Sequence, residues 1–275
     1  GTSAHISTIF SLNIGLAGES LENINATCYD IMPYVFHIPF PTDQKWECNI
    51  AAAFMNIGLQ LFAGVIASND AIFVGLLGCL KTQMIIVGHV FKTLRARTLK
   101  KLDLPTNYAL MYDSENPILE KELYTQLNKA IEHLMILLRA RDDIESMFTY
   151  VTLSQSIASL FIIASCLFVA STVPIGSPNF FSQLEYFVCV LVQFSLICWC
   201  GNEITIASAT ITTALYESDW FSCSARYKTS MIITMTRMQR PVYLTIGKFT
   251  PLTLTALITI FRGSFSYFTV FKSIQ

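Results

Sequence analysis

Five apolar runs alternate with polar segments along the chain, at residues 6–18, 50–80, 147–173, 186–215 and 251–271. The first is shorter than the ~20 residues that a helix needs to cross a bilayer, and the other four are long enough. The pattern therefore predicts an all-α fold, a polytopic membrane helix bundle. We interpret the first run as the end of a further span.

Positive charge is segregated between the segments that join these runs. Fifteen of the 18 Lys and Arg residues lie in 81–141 and 226–248, whereas residues 174–185 carry none and 19–49 carry only Lys45. Basic loops of membrane proteins face the cytoplasm. We therefore expect residues 19–49, residues 174–185 and the C-terminus to lie outside. Asn25 begins an N-glycosylation sequon with Thr27 in the outer loop, where glycosylation takes place.

Two helices are expected to extend beyond the membrane on the basic side. No proline or turn cluster stops the second run before Arg97, so its helix should project into the cytoplasm. Residues 115–145 carry apolar side chains at three-to-four spacing, as an amphipathic helix does. These are Ile118, Leu123, Leu127, Ile131, Leu134 and Leu138. Residues 231–238 have a similar character, and we expect the two segments to pack together; the alternative is that both lie on the lipid surface.

Composition favours lipid as the main solvent and argues against several classes of protein. Charged residues make up 13% of the chain, against about 25% in soluble domains. The net charge of −1 lacks the basic footprint of a nucleic-acid partner. The sequence contains no nucleotide-binding, zinc-protease or serine-hydrolase motif. We therefore expect no enzymatic activity, no catalytic residue, no metal site and no cofactor.

Two further features concern the ends of the outer loop and of the chain. Cys28 and Cys48 flank the proline-rich loop expected outside the cell, where disulfides persist, and they are candidates for a disulfide. The chain begins at Gly1 without a signal sequence. We therefore expect it to be the C-terminal part of a longer protein, or a processed or partial sequence.

The last sixty residues carry a recognisable set of motifs. They are Tyr216 and Trp220 after the fourth run, the Met/Arg/Gln/Pro patch of residues 231–241, Gly247, Phe249, and residues 264–268 ending in Tyr267 and Phe268. This set resembles the C-terminal signature of insect odorant receptors. Upstream, Gln193, Cys198 and Gly201 resemble the family's span six, and His133 with residues 148–155 resembles span five.

The resemblance implies a division of the whole chain. It assigns 1–18 to the end of span three, 19–49 to an extracellular loop, 50–98 to span four with its cytoplasmic extension, 99–146 to a cytoplasmic loop and amphipathic helix, 147–173 to span five, 174–185 to an extracellular loop, 186–216 to span six, 217–248 to a cytoplasmic anchor segment and 249–275 to span seven. The N-terminus of the full-length receptor would lie inside the cell and the C-terminus outside.

The resemblance also implies a function. The chain would bind small volatile odorants and form an odorant-gated cation channel, as a heterotetramer with the family's co-receptor, in the plasma membrane of sensory-neuron dendrites. Residues 100–130 lack the long loop of the co-receptor, which favours a ligand-tuning subunit. A secondary transporter fragment and a gustatory-type chemoreceptor are the alternatives. A G-protein-coupled receptor would need a cytoplasmic C-terminus, which the charge pattern opposes.

The resemblance implies that the last span lines a central pore. Val270 lies three residues before Ser273 and four before Ile274, so the three share a helix face. The resemblance aligns Val270 with the family's apolar gate; the alternative is that Val270 packs against lipid or protein. Arg262 lies in mid-span, where we expect an ion pair with Glu203, with pore lining as the alternative.

The resemblance also implies an odorant site in the outer half of the bundle, among spans three to six, and small ligands generally bind in apolar cavities. Tyr186 could offer it a hydroxyl. For each position taken singly, ordinary packing between helices is the alternative. The candidate ligand-binding residues are Phe10, Ile14, Phe54, Met55, Gly58, Ala164, Phe168, Tyr186, Phe187 and Val190.

Overall fold

The computed structural model describes residues 45–105, 108, 116–175, 177–240 and 242–274. These contain five α-helices: α1 (Lys45–Lys101), α2 (Pro117–Thr172), α3 (Pro178–Tyr216), α4 (Ala225–Met238) and α5 (Leu254–Ile274). A short 3-10 helix, Trp220–Ser222, precedes α4, and two strands, β1 (Thr245–Ile246) and β2 (Thr250–Pro251), precede α5.

Four of these helices, α1, α2, α3 and α5, are long and apolar enough to cross a membrane. The 57 residues of α1 would span ~85 Å at 1.5 Å per residue, far more than the ~30 Å hydrocarbon core. The helix runs without interruption to Lys101, so the prediction that it continues past Arg97 is confirmed. The 56-residue α2 likewise joins the amphipathic segment to the apolar run in one helix.

The starts of α2 and α3 share one capping pattern. The Asn116 side chain accepts a hydrogen bond of 3.1 Å from the backbone N–H of Leu119, and Pro117 is the first helical residue. The hydroxyl of Ser177 accepts one of 3.2 Å from the N–H of Phe180, and the helix begins at the next residue, a proline. The cap satisfies an orphan donor, and proline has no N–H to lose at this position.

The end of α1 is set by a residue in the left-handed region. Asp103 has a φ of 52°, and the N–H of Leu104 donates to the carbonyl of Leu99 at 3.0 Å. This is the hydrogen bond of a Schellman motif, which terminates a helix where glycine is usual. Because aspartate takes the place of glycine, the sequence shows the stop only weakly.

The strands β1 and β2 pair antiparallel through a tight turn. Gly247 and Lys248 have φ values of 58° and 65°, and the N–H of Phe249 donates to the carbonyl of Ile246 at 3.0 Å. Positive φ at both central residues is the signature of a type I′ hairpin turn. The turn carries the chain from the anchor segment into α5.

The chain divides into two compact units, residues Gly1–Ile72 with Ser165–Val190, and residues Phe73–Ala164 with Leu191–Gln275. We call them unit 1 and unit 2. Helix α1 contributes one apolar stripe to the core of unit 2, at three- and four-residue spacing. Its members are Phe73, Leu77, Leu80, Met84, Val87, Phe91 and Leu94.

The amphipathic part of α2 contributes a second stripe to the same core. Leu123, Leu127, Leu134 and Leu138 are buried, as their spacing predicts. The prediction for the first turn is wrong. Ile118 is 70% exposed, and Leu119, which is 1% exposed, is the residue of this turn that enters the core. Leu119 lies four residues before Leu123 and therefore shares its face of the helix.

Helix α4 packs against the amphipathic part of α2. Its N-cap is Ser224, whose side chain accepts a hydrogen bond from the N–H of Tyr227. The Arg226 guanidinium lies 4.1 Å from the centre of the Tyr124 ring. Met231 and Met238 share one buried core with Leu123, Leu127 and Leu134. The expected packing of residues 231–238 with the amphipathic part of α2 is therefore confirmed.

Candidate ligand site and pore helix

One face of α5 is fixed against α2. The hydroxyl of Ser264, which is fully buried, donates to the carbonyl of Leu160 at 3.0 Å. The rings of Tyr267 and Phe161 lie 5.6 Å apart between centres. A Cβ at Gly263 would come within 3.2 Å of a Leu160 methyl group, so glycine permits the close approach. These contacts define which side of α5 faces the rest of unit 2.

The side of α5 away from Ser264 carries a polar stripe, whose first two members, Thr255 and Thr259, also border a cavity beside α2. The members of the stripe lie three or four residues apart and so share one side of the helix, and all of them are exposed. They are Thr255, Thr259, Arg262, Ser266, Thr269 and Ser273. Arg262 and Ser266 lie two residues on either side of Ser264, which puts them on the far side from α2.

The predicted gate residues lie beside this stripe. Val270 is 48% exposed and Ile274 is 78% exposed, and Ser273 belongs to the stripe itself. Only 11% of the apolar window of α5 is buried, against 28–33% in the other three candidate spans. The helix thus presents both a polar stripe and apolar side chains to whatever surrounds it.

The expected ion pair between Arg262 and Glu203 is wrong. The Glu203 carboxylate pairs with the Lys81 ammonium at 2.6 Å. Arg262 is exposed and forms no ion pair with the part of the chain that the structure describes. Sequence reasoning missed Lys81 because nothing in the sequence states which side of α1 faces α3.

Several predicted site residues lie outside the described part of the chain. They are Phe10, Ile14, the sequon residue Asn25, and Cys28. Cys48 lies in α1, but its side chain is not among those described. The ligand roles, the glycosylation and the disulfide remain predictions at these positions.

The other predicted ligand residues fall into the two units. Met55 and Val190 are 6% and 8% exposed, whereas Phe54 and Tyr186 are about half exposed, at 53% and 52%. These four belong to unit 1, together with Gly58, Phe168 and Phe187. Ala164 is buried and belongs to unit 2. Seven of the eight candidates that the structure describes therefore share one compact unit, and their role stays a prediction.

A cavity of about 450 Å³ lies within unit 2, between α2 and the hairpin with α5. Leu160 and Phe161 line one side, and Phe249, Thr259 and Tyr267 line the other. The volume is in the range of small-molecule sites. None of the predicted ligand residues lines this cavity. It arises where the hairpin docks beside α2, a contact for which the sequence has no signal.

The buried polar groups beneath α4 are structural. Burial raises the pKa of the Cys223 thiol to about 11, so the thiol is not ionised at neutral pH. Burial also raises the pKa of the Tyr227 hydroxyl. A neutral thiol is a poor nucleophile and a poor metal ligand. Within the described residues, no three His, Cys, Asp or Glu side chains are grouped to hold a metal ion.

The sequence matches a known protein family over nearly its whole length. The model of the 7tm Odorant receptor family matches residues 5–265. The chain belongs to this family. It is similar to odorant receptor 85c of Drosophila melanogaster, with 24% identity over 267 residues that cover 96% of this chain and 62% of that protein. It is also similar to odorant receptor 22c of the same species, with 26% identity over 152 residues, 55% of this chain and 37% of that one.

The fold agrees with a solved member of the group. The insect olfactory receptor OR5 from Machilis hrabei, in complex with eugenol, superposes with a TM-score of 0.73 at 12% identity, covering 100% of this chain and 65% of that chain. The predicted all-α, polytopic membrane bundle is confirmed. This odorant receptor family member is a multi-pass membrane protein. It spans less than two thirds of the length of these relatives.

Proposed function

We propose that this chain is the ligand-tuning subunit of an odorant-gated cation channel that it forms with the family's co-receptor. The observation that carries the proposal is the polar stripe of α5. Polar and charged side chains within a membrane span are costly unless they face water or polar partners. The hydroxyls of Thr259, Thr269 and Ser273 already donate to carbonyls of α5. A water-filled pore lined by α5 of several subunits would solvate the rest of the stripe, above all Arg262.

Assembly with other subunits follows from the same helix. A single α5 cannot enclose a pore, and all six residues of its polar stripe are exposed in the single chain. Four subunits around one axis would bring four such stripes together. A heterotetramer with the co-receptor is therefore the assembly that we propose.

The gate that we propose is the apolar border of the stripe, at Val270 and Ile274. A ring of such side chains closes a pore by dewetting it, and a small outward rotation rewets it. Ser273 then offers a hydroxyl to the ion just beyond the gate. Val270 is 48% exposed in the single chain, which leaves it free to meet the same residue of neighbouring subunits.

The ligand class that we propose is small volatile odorants. They would bind in the outer half of the bundle, where buried Met55 and Val190 supply apolar walls and Tyr186 a hydroxyl. Eugenol, the compound bound by the Machilis hrabei receptor, is a small aromatic molecule of this kind.

Current recording tests the proposal. The open reading frame that contains this chain is expressed in oocytes with and without the co-receptor, and a panel of volatiles is applied. We expect a cation current that needs both subunits. Met55→Ala should shift the half-maximal concentration, while Phe181→Ala, an exposed change in the same unit, should not. If the half-maximal concentration changes equally in both variants, or in neither, Met55 does not line the ligand site.

The location that we propose is the plasma membrane of sensory-neuron dendrites, with the C-terminus outside and the full-length N-terminus inside. Asn25 would then be glycosylated, and Cys28 and Cys48 could pair. Glycosidase treatment should lower the apparent mass of the wild-type protein on a gel and leave the apparent mass of Asn25→Gln unchanged. An epitope at the C-terminus that antibodies reach only after permeabilisation would contradict this orientation.

A further inference from the structure

A basic cavity of about 290 Å³ lies between the end of α1 and the amphipathic part of α2. Arg97 and Lys101 line it from α1, and Lys129 and His133 line it from α2. Each pair is four residues apart on its own helix, so each points to one side. The two helices therefore bring two cationic pairs together from segments that are distant in the sequence.

The cavity keeps an excess of positive charge after its ion pair is counted. The Lys101 ammonium is paired with the Glu122 carboxylate at 2.7 Å, and this contact lowers the pKa of Glu122. Arg97 donates one hydrogen bond to the carbonyl of Val90 at 3.1 Å and retains its other donors. Among the described residues, Lys129 forms no ion pair. The recess thus holds three permanent cations, Arg97, Lys101 and Lys129, against the single carboxylate of Glu122, on which both lysines act electrostatically.

The donors in the cavity suit phosphate. A guanidinium presents several N–H groups in a fixed fork, and an ammonium adds a compact charge; together they match the oxygens of a phosphate group. His133 adds a ring nitrogen. Val90, Leu94 and Ala130 form an apolar wall beside them, against which the carbon skeleton of an organic phosphate could lie.

The position of the cavity selects a soluble ligand over a lipid headgroup. Lys81 is the first cation after the apolar run of α1. Arg97 lies about 24 Å beyond Lys81 along a helix that rises 1.5 Å per residue, and still about 18 Å at a 40° tilt. The headgroup layer is only about 5–8 Å thick on each side, so a membrane lipid does not reach this depth.

We propose that the recess formed by Arg97, Lys101, Lys129 and His133 binds a soluble organic phosphate ester that carries at least two phosphate groups. Such a ligand bridges α1 and α2 on the side of the basic loops. The site is separate from the odorant site and from the pore stripe. Its cytoplasmic location rests on the orientation proposed above, whereas the binding itself does not.

A binding assay on the purified chain tests the proposal with one headgroup in two forms. The probe is inositol trisphosphate, added to the chain in nanodiscs of phosphatidylcholine. The second arm carries the same headgroup on phosphatidylinositol bisphosphate within the disc. We expect saturable binding of the soluble probe and a higher melting temperature with it, and no binding of the lipid-borne headgroup at this recess.

Matched variants locate the site. Lys129→Gln removes an exposed cation without breaking an ion pair, and it should raise the Kd of the probe about tenfold, the value of one charge-assisted hydrogen bond. Arg97→Gln should act in the same direction. Lys100→Gln and Lys121→Gln remove cations of the same two helices that do not line the cavity, and they should leave the Kd unchanged.

Three outcomes would overturn the proposal: no saturable binding at millimolar probe, equal weakening by the control variants, or binding of the lipid-borne headgroup alone. The assay uses no odorant, no co-receptor and no current. A negative binding result therefore does not bear on the channel proposal, and the absence of an odorant-evoked current does not bear on the phosphate site.

Discussion

The hydroxyl of Ser264 donates a hydrogen bond to the carbonyl oxygen of Leu160 at 3.0 Å, across 104 positions of sequence. This bond joins α5 to α2 at a point where Ser264 is fully buried. It sets the rotation of α5 about its own axis. The polar stripe faces outward because this serine faces inward.

Enlarging Ser264 should separate the two helices. Ser264→Leu inserts a large side chain into a closed contact, which typically costs about 1–3 kcal/mol, while Ser264→Ala loses only about 0.5–1.5 kcal/mol. The thermal midpoint of the purified chain measures both. The control is Ser266→Leu, on the exposed face, which should leave the midpoint in place. If Ser264→Leu and Ser266→Leu lowered the thermal midpoint equally, Ser264 would not be the residue of α5 that packs against α2.

Gly201 is required by a backbone contact. A Cβ at Gly201 would collide with the carbonyl oxygen of Leu252 and approach its Cγ at 2.7 Å. Gly201→Ala should therefore push the entry to α5 away from α3 and reduce the amount of folded receptor at the cell surface. At Gly78 a Cβ meets nothing within 4 Å, so Gly78→Ala should be neutral or stabilise α1 by up to about 1 kcal/mol. Fluorescence-detected gel filtration compares the two.

The ion pair of Lys81 and Glu203 can be measured by a double-mutant cycle. Both side chains are partly exposed, at 35% and 26%, so we expect a coupling of roughly 0.2–1 kcal/mol. The cycle uses Lys81→Ala, Glu203→Ala and the double variant, with thermal unfolding as the measurement. A parallel cycle of Arg262 with Glu203 should give no coupling. Coupling between Arg262 and Glu203, without coupling between Lys81 and Glu203, would support the ion pair expected from the sequence.

Removing the charge of Arg262 should ease the passage of cations. A unit charge about 8 Å from a permeating ion in a water-like medium opposes it by ~0.5 kcal/mol, or about twofold in rate. Arg262→Gln should raise the unitary conductance of the assembled channel by about this factor. Lys272→Gln serves as the control, since Lys272 lies off the polar stripe. An unchanged conductance in Arg262→Gln would show that Arg262 does not face the pore.

Much of the helical architecture follows from the sequence alone, because a membrane imposes a strong rule. An apolar run long enough to span the bilayer must satisfy its backbone internally, and so it forms a helix. The uninterrupted path of α1 past Arg97 was predictable for a related reason, since no proline or turn residue opposes it. The spacing of Leu123, Leu127 and Leu134 likewise revealed the buried side of α2.

What the sequence left open are the relations between helices. The partner of Glu203, the exchange of Leu119 for Ile118 in the core, and the two cavities all depend on how each helix is rotated against its neighbours. Many rotations of an apolar helix bury similar area, so periodicity does not choose among them. Single directional contacts decide instead, such as the bond from Ser264 to Leu160.

The amino-acid sequence alone predicts apolar spans joined by basic segments, and its motifs resemble those of the odorant receptor family. Which side of α5 packs against α2 and which side is exposed becomes visible only in the folded chain. Hydrophobic burial has no direction, whereas hydrogen bonds and close steric contacts do, and these contacts orient the helix. The polar stripe and the basic recess are therefore properties of the folded chain.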